Sequence, residues 1–265
     1  SSHRYSCSEQ RDRSWCAPLV STDNDSAGPS APPPPKDAHA ALPRAIAPEV
    51  LSQRYIVIEG PIGVGKTSLA RRLAATLEAE LVLEQDAQNP FLERFYRNPK
   101  AGALPAQLFF LFQRAQQLGS LQQQDLFAPR RVADYLFEKD RLFAGLTLDP
   151  AEMALSEQVP PRPAVDPPRP DLVVYLQAPV ETLLQRIARR GLAYETTGID
   201  ASYLSRLNDA YARFFHEYER APLLIVNASN IDPVQNQADF DELVGAIRRM
   251  KKGRMYYNPL RHGTI

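Results

Sequence analysis

The sequence predicts an α/β protein in which a parallel sheet is flanked by helices on both faces. Three observations carry that expectation. Short apolar runs, largely β-branched, alternate with longer stretches of helical periodicity, the pattern of a parallel sheet covered on both sides. One such run, Tyr55-Ile56-Val57-Ile58, leads at once into a glycine-rich turn and then a helix starting near Lys66. The turn from Gly60 to Thr67 fits G-x-x-x-x-G-K-[ST] at every fixed position.

Each residue type in that turn has a physical task. Gly60, Gly63 and Gly65 admit backbone conformations closed to residues with a Cβ, so that consecutive N–H groups point inward around a phosphate. The following helix adds its free N–H groups and positive dipole end. Lys66 is expected to reach the β- and γ-phosphates, and the Thr67 hydroxyl to ligate Mg²⁺. The turn therefore predicts a nucleoside triphosphate ligand, with ATP and Mg²⁺ as cofactors.

The elements follow in order. Residues 1–50, rich in Ser, Pro, Ala and charge without apolar periodicity, read as a disordered tail. The domain is read over 51–252, with a C-terminal tail at 253–265. After the opening strand, residues 67–79 form a helix with Leu69, Leu73 and Leu77 four apart. Glu80 to Leu83 is a short strand ending at Glu84, and 89–96 a loop with a proline-initiated helical turn. Leu104 to Leu121 is a long helix whose block Leu108 to Phe112 is apolar all round. Such a block calls for cover on more than one side, part of it from a second subunit. Arg130 to Asp134 is a strand, followed by a helix through Phe143 and another at 146–157. A proline-rich loop runs to Pro170, Asp171 to Leu176 is a central strand, and Val180 to Arg190 a helix capped by Gly191. A helix at 203–218, a strand at 223–226 and a helix at 240–250 complete the reading.

Composition sets bounds. The chain has 265 residues and 24 prolines, and without the tail about 210 residues remain, enough for one α/β domain. With 31 basic and 31 acidic residues the net charge is zero, which argues for neither a nucleic-acid partner nor an anionic membrane surface. The two cysteines, Cys7 and Cys16, lie in the tail at a spacing that matches no zinc pattern. No apolar run approaches a membrane span, and the expected setting is cytoplasmic.

In a parallel sheet, ligands sit beyond the carboxyl ends of the strands. The polar residues there are Glu84, Asp134, Gln177 and Asn227. Strands often stop at polar residues, so each alone is unremarkable; two acids on the rim of a phosphate loop point towards chemistry.

From Arg54 to about Asn230 the chain resembles the deoxynucleoside kinases, in particular the bacterial deoxyadenosine/deoxyguanosine kinase branch. The resemblance lies in Ile58 to Thr67, in Glu84 with Asn89-Pro90-Phe91-Leu92 and Phe95-Tyr96, in Leu104 to Arg114, and in Arg186-Ile187-Ala188-Arg189-Arg190-Gly191. It implies a three-layer P-loop kinase fold and transfer of a phosphoryl group from ATP to a deoxynucleoside, the small-molecule substrate, with a homodimer as the assembly. It further implies that Glu84 takes the proton from the sugar 5′-hydroxyl, that Tyr96 and Glu195 hold the 3′-hydroxyl, and that Gln107 with Arg114 meets the nucleobase. Gln107 and Arg114 are seven residues apart, two helical turns, and so share a face. Arg186 and Arg190 look like the lid that clamps the transferred group. Basic residues in a last helical turn also answer the helix dipole.

Two departures stand out. The family's acidic-Arg-Ser motif at the third strand is replaced here by Ala133-Asp134-Tyr135, so its arginine is missing. Asp134 is assigned the metal role, together with Thr67. Leu192 stands where many relatives carry another lid arginine, and Lys139 and Asp140 fall near the position that separates amino from keto bases. The reading is a deoxynucleoside kinase of nucleotide salvage. The alternatives are a nucleoside monophosphate kinase, which needs a basic pocket that Glu84 opposes, or a nucleotide-binding protein without catalysis.

Overall fold

The structure, a computed structural model, describes residues 51–123, 130–158 and 167–259. The tail read at 1–50, the proline-rich stretch at 159–166 and residues 260–265 lie outside the described residues.

Strand β1 (Tyr55–Glu59) is buried along its whole length because it lies mid-sheet. It pairs in parallel with β3 (Arg131–Ala133) on one side and β4 (Leu172–Gln177) on the other, with Val57 opposite Ala133 and Val173. Outside β3 lies β2 (Glu80–Val82); outside β4 lies β5 (Leu223–Asn227) and then β6 (Arg254–Tyr257). The order β2-β3-β1-β4-β5-β6 is parallel throughout, and it turns about β1. The chain crosses from one half of the sheet to the other beside β1, and the phosphate loop hangs from the carboxyl end of that strand, where parallel sheets bind ligands.

Helices cover both faces. Helix α1 (Lys66–Leu77) buries Leu69, Leu73 and Leu77, the four-residue period expected. Helices α2 (Leu92–Arg97) and α3 (Pro99–Gln123) follow β2 in the chain, and α4 (Lys139–Thr147) and α5 (Pro150–Gln158) follow β3. Beyond β4 come α6 (Val180–Arg190), α7 (Ala193–Gly198) and α8 (Ala201–Glu217), and after β5 comes α9 (Gln237–Arg249). Gly191 ends α6 in the left-handed region at φ 75°, as the sequence required.

Several elements differ from expectation, among them α4, which runs on to Thr147, α5, which starts at Pro150, and α9, which starts at Gln237. Helix α3 starts at Pro99, not Leu104: Pro105 is tolerated inside it, and Gly102 lets it sit on α2, where a Cβ would come 2.4 Å from the Phe95 backbone. Helix α8 starts at Ala201, two residues ahead of expectation, with Asp200 accepting from the Tyr203 N–H at 2.6 Å. Helix α7 lies in what the sequence left unassigned. Strand β6 falls inside the C-terminal tail read at 253–265, so the sheet extends past residue 252; its exposed Arg254 and Tyr256 alternate with half-buried Met255 and Tyr257, an edge strand too polar to announce itself. In the apolar block of α3, residues 108–111 are half-buried, whereas Phe112 is 56% exposed in this chain.

Candidate active site

The cradle is built from β1 outwards. Glu59 is fully buried, and its carboxylate is saturated from three directions. Oε1 accepts from the Gly60 N–H and the Tyr211 hydroxyl, both at 2.9 Å, and Oε2 from the Leu136 N–H at 2.7 Å. One side chain thus fixes the start of the phosphate loop to the exit of β3 and to α8. Gly60 has φ 151°, and a Cβ there would sit 2.5 Å from the Leu176 carbonyl oxygen. Gly65 has φ 103° and opens α1. The Lys66 ammonium donates to the carbonyls of Gly60 at 2.8 Å and Pro61 at 3.2 Å. Burial lowers its pKa from the usual lysine value, with Glu59 acting against that shift.

Thr67 and Asp134 lie side by side. The Thr67 hydroxyl donates to Asp134 Oδ2 at 2.5 Å, and the Glu84 N–H donates to Oδ1 at 2.7 Å. Burial raises the Asp134 carboxyl above its ordinary range, while Thr67 and the Glu84 amide hold it down. Among the described residues no cluster of three or more His, Cys, Asp or Glu could hold a metal by itself. A hydroxyl and a carboxylate beside a phosphate cradle do fit Mg²⁺, which takes one or two protein oxygens and completes its shell with phosphate and water.

Glu84 follows β2, with its side chain turned towards the cradle's cavity. Lys139 Nζ lies 2.6 Å from its Oε2, and an Arg114 guanidinium nitrogen pairs with Oε1. Burial alone would raise its pKa, but the Lys139 and Arg114 pairs prevail and pull it down to about 2.

Helix α3 turns a polar stripe inward: Gln107 and Arg114 are buried on the same face as Ala103, Ala106 and Leu118. Gln107 Nε2 donates to the Asp140 carbonyl at 3.1 Å and its carboxylate at 3.3 Å, and that carboxylate also pairs with Arg114. Buried Asn89 fixes the approach to α2, donating to the Ala106 carbonyl at 3.1 Å and accepting from the Phe91 N–H at 3.0 Å. Tyr96 stacks on Tyr194 with ring centres 5.9 Å apart, and α7 is pressed against it, since a Cβ on Gly198 would come 2.6 Å from the Tyr96 Cβ. Burial keeps the Tyr96 hydroxyl protonated, well above its ordinary pKa. Glu195 is 1% exposed; Arg190 meets its Oε1 at 3.1 Å, and its Oε2 has no hydrogen-bond partner among the described residues. Burial raises its pKa, with Arg190 opposing.

The two lid arginines part company. Arg190, 42% exposed, bridges Asp86 at 3.2 Å and Glu195. Arg186 instead donates to the carbonyls of Val64 at 2.9 Å and Ala228 at 2.8 Å, tying the phosphate loop to the exit of β5. The loop and β5 have carbonyls that need donors, and Arg186 supplies them.

A cavity of about 510 Å³ joins these groups, within the range of small-molecule sites. It is lined by Gly63 to Thr67 at one end and by Gln107, Arg114, Tyr96 and Glu195 at the other, with Glu84 between. Arg186, Arg190 and Asp134 line it too; of the site residues read from sequence, Gly60 alone does not, because its Cα backs onto β4. Sequence reasoning gave Glu59 no role and placed Lys139 only near the base-selecting position, without its pairing to Glu84. The signal for Glu59 was present, since a carboxylate closing an all-apolar central strand has to be paired.

The family model for deoxynucleoside kinase matches residues 56–251. The chain is 32% identical over 201 residues to the deoxyguanosine kinase of Bacillus subtilis (strain 168), covering 74% of this chain and 97% of that one. It is 29% identical over 193 residues to the deoxyadenosine kinase of Lactobacillus acidophilus, covering 69% of this chain and 89% of that one. Among solved structures, the deoxyadenosine kinase from M. mycoides with products dCMP and a flexible dCDP bound superposes with a TM-score of 0.63. That match covers 74% of this chain and 99% of the other at 22% identity, a likeness of fold.

Proposed function

This chain belongs to the deoxynucleoside kinase family, and from that premise we propose that it transfers the γ-phosphoryl group of ATP to the 5′-hydroxyl of a deoxynucleoside. The reading rests on one observation above others: the Glu84 carboxylate, paired with Lys139 and Arg114, opens onto the same cavity as the phosphate cradle.

The cradle amides and Lys66 bind the triphosphate tail. Thr67 and Asp134 are the residues that would hold Mg²⁺, which offsets phosphate charge when bound. At the other end Gln107 and Arg114, with Asp140, meet the nucleobase, while Tyr96 and the unpartnered Glu195 oxygen take the 3′-hydroxyl. The 5′-oxygen then attacks the γ-phosphorus. An O–P bond forms, the bond from γ-phosphorus to the bridging oxygen breaks, ADP leaves, and the hydroxyl proton passes to Glu84. A base held as low as about 2 accepts that proton only late, as the oxygen becomes acidic on bonding phosphorus, and this suits a loose transfer dominated by positioning. Arg190 neutralises charge on the moving group, and Arg186 holds the loop that cradles it.

The monophosphate-kinase alternative is disfavoured by charge. At the acceptor end Arg114 and Lys139 are matched by Glu84 and Asp140, so no net positive pocket awaits an acceptor phosphate. A cytoplasmic setting, where ATP and deoxynucleosides meet, and a homodimer covering the exposed Phe112 belong to the same reading.

The test is ADP formation with a panel of deoxynucleosides and their monophosphates, for the full chain and Glu84→Gln. Turnover with nucleosides, lost by about 100-fold or more in the variant at unchanged ATP affinity, is the expected result. Turnover with monophosphates only, binding without turnover, or a variant running at full rate would overturn it.

A further inference from the structure

Lys139 opens α4 and is 3% exposed, although lysine is almost never fully buried unless paired. Among the described residues its carboxylate partner is Glu84, at 2.6 Å, and the rings of Tyr135 and Phe143 lie 5.9 and 5.7 Å from the ammonium. Rings at that distance attract a desolvated cation and hold it in place. The end of β3 supplies no cation of its own, since Tyr135 follows Asp134 there.

The second cation on Glu84 is placed differently. Arg114 meets both Glu84 and Asp140, and Asp140 is also the acceptor for Gln107. A nucleobase edge bonding among Gln107, Arg114 and Asp140 therefore competes for Arg114. It does not compete for the Lys139 ammonium, whose hydrogen bond among the described residues goes to Glu84 Oε2. Removing both cations from a largely buried carboxylate would be costly, so one of them must stay.

We propose that Lys139 is the positioning residue of this site: it holds the Glu84 carboxylate at the acceptor hydroxyl throughout binding and transfer, which frees Arg114 to serve the nucleobase. The proposal rests on the kinase reading above and adds to it a division of labour between two cations from two helices.

The test compares the full-length chain with Lys139→Met, Lys139→Arg and Lys139→Ala, measuring initial rates with deoxynucleoside and ATP varied separately, alongside thermal unfolding. For Lys139→Met the expected result is a fall in kcat on the order of 100-fold, a higher KM for deoxynucleoside because Arg114 is now contested, and an ATP KM within about twofold. Lys139→Arg should recover to within about tenfold of the parent. Lys139→Ala should regain rate with added ethylammonium and not with ethanol, which has the size without the charge. Should Lys139→Met fail to fold, the Lys139→Ala rescue decides alone. A Lys139→Met enzyme with kcat within threefold of the parent, no gain from arginine, or no difference between ethylammonium and ethanol would overturn the proposal while leaving the kinase reading intact. A parent chain that phosphorylates no deoxynucleoside would remove both.

Discussion

Replacing Glu59 with glutamine tests whether a single buried carboxylate ties the phosphate loop to the sheet. The carboxylate accepts three hydrogen bonds, from Gly60, Tyr211 and Leu136, at 2.9, 2.9 and 2.7 Å. Glutamine has one acceptor oxygen. Placed at the Oε1 position, it keeps the Gly60 and Tyr211 bonds and turns its own NH₂ towards the Leu136 N–H, donor against donor. A hydrogen bond to a charged group is worth about 1.5–3 kcal/mol, and a buried donor left unmade costs about 1–3 kcal/mol. These describe the same lost contact from two sides, and burying a neutral amide in place of a charge recovers part of it. The net expectation is about 2–3 kcal/mol of destabilisation. For a domain of this size each kcal/mol moves Tm by about 2–4 °C, so Glu59→Gln should unfold roughly 5–10 °C below the parent. Tyr211→Phe removes one of the three donors and no acceptor, so it should cost about 1 kcal/mol. The double variant should fall short of the sum, because in the Glu59→Gln background Tyr211 bonds a neutral amide oxygen, a weaker acceptor than the carboxylate. Scanning calorimetry of the full chain at neutral pH measures all three. A Glu59→Gln Tm within about 2 °C of the parent, or strict additivity with Tyr211→Phe, would refute the anchoring role.

Three further outcomes follow from the same geometry. Asp134→Asn and Thr67→Val should each raise the Mg²⁺ concentration for half-maximal turnover by about tenfold or more, read by titrating Mg²⁺ at saturating ATP. Glu195→Gln should narrow the preference for a 3′-hydroxyl over a 2′,3′-dideoxynucleoside by about tenfold in kcat/KM, since the carboxylate oxygen without a partner is the assigned acceptor. The Glu84 carboxyl is held down to about 2 from 4.5, so its contribution to stability is fully present above pH 4.5 and is lost as pH falls towards 2. The Tm gap between the parent and Glu84→Gln should hold steady above pH 5 and close across that acid window; a gap that closes nearer neutral pH contradicts the ion pairing.

What was legible in the sequence was local. The cradle is one contiguous octapeptide, and the inward pairing of Gln107 with Arg114 follows from two turns of one helix. What was not legible depends on residues that folding brings together. Glu59 is capped by Tyr211, 152 positions away, and Glu84 by Lys139, 55 positions away. Arg186 reads as a last-turn cation until the carbonyls of Val64 and Ala228 appear beside it. Strand β6 carries no apolar run because it lies at the sheet edge, and helix α7 is one short turn whose place is set by Tyr96 pressing on Gly198.

The acceptor end rewards being read as one unit. Two cations, Arg114 and Lys139, and two carboxylates, Glu84 and Asp140, form a chain of contacts whose charges cancel. A balanced network of this kind can be kept partly buried, and it admits a neutral alcohol more readily than a phosphorylated one. The donor end is the opposite case, with cradle amides, Lys66 and a helix N-terminus set for a polyanion. A site that is positive at one end and balanced at the other fixes the direction in which substrates enter. On the proposed reading the triphosphate takes the loop and the uncharged sugar lies against Glu84. Removing any one of the four charges changes that selection as well as the rate, because the remaining three no longer sum to zero. This is why the Lys139 and Glu84 variants should differ in kind: the first leaves an acceptor end that repels added negative charge, and the second leaves one that attracts it. The two should move opposite ways when deoxynucleoside and deoxynucleoside monophosphate compete for the cavity.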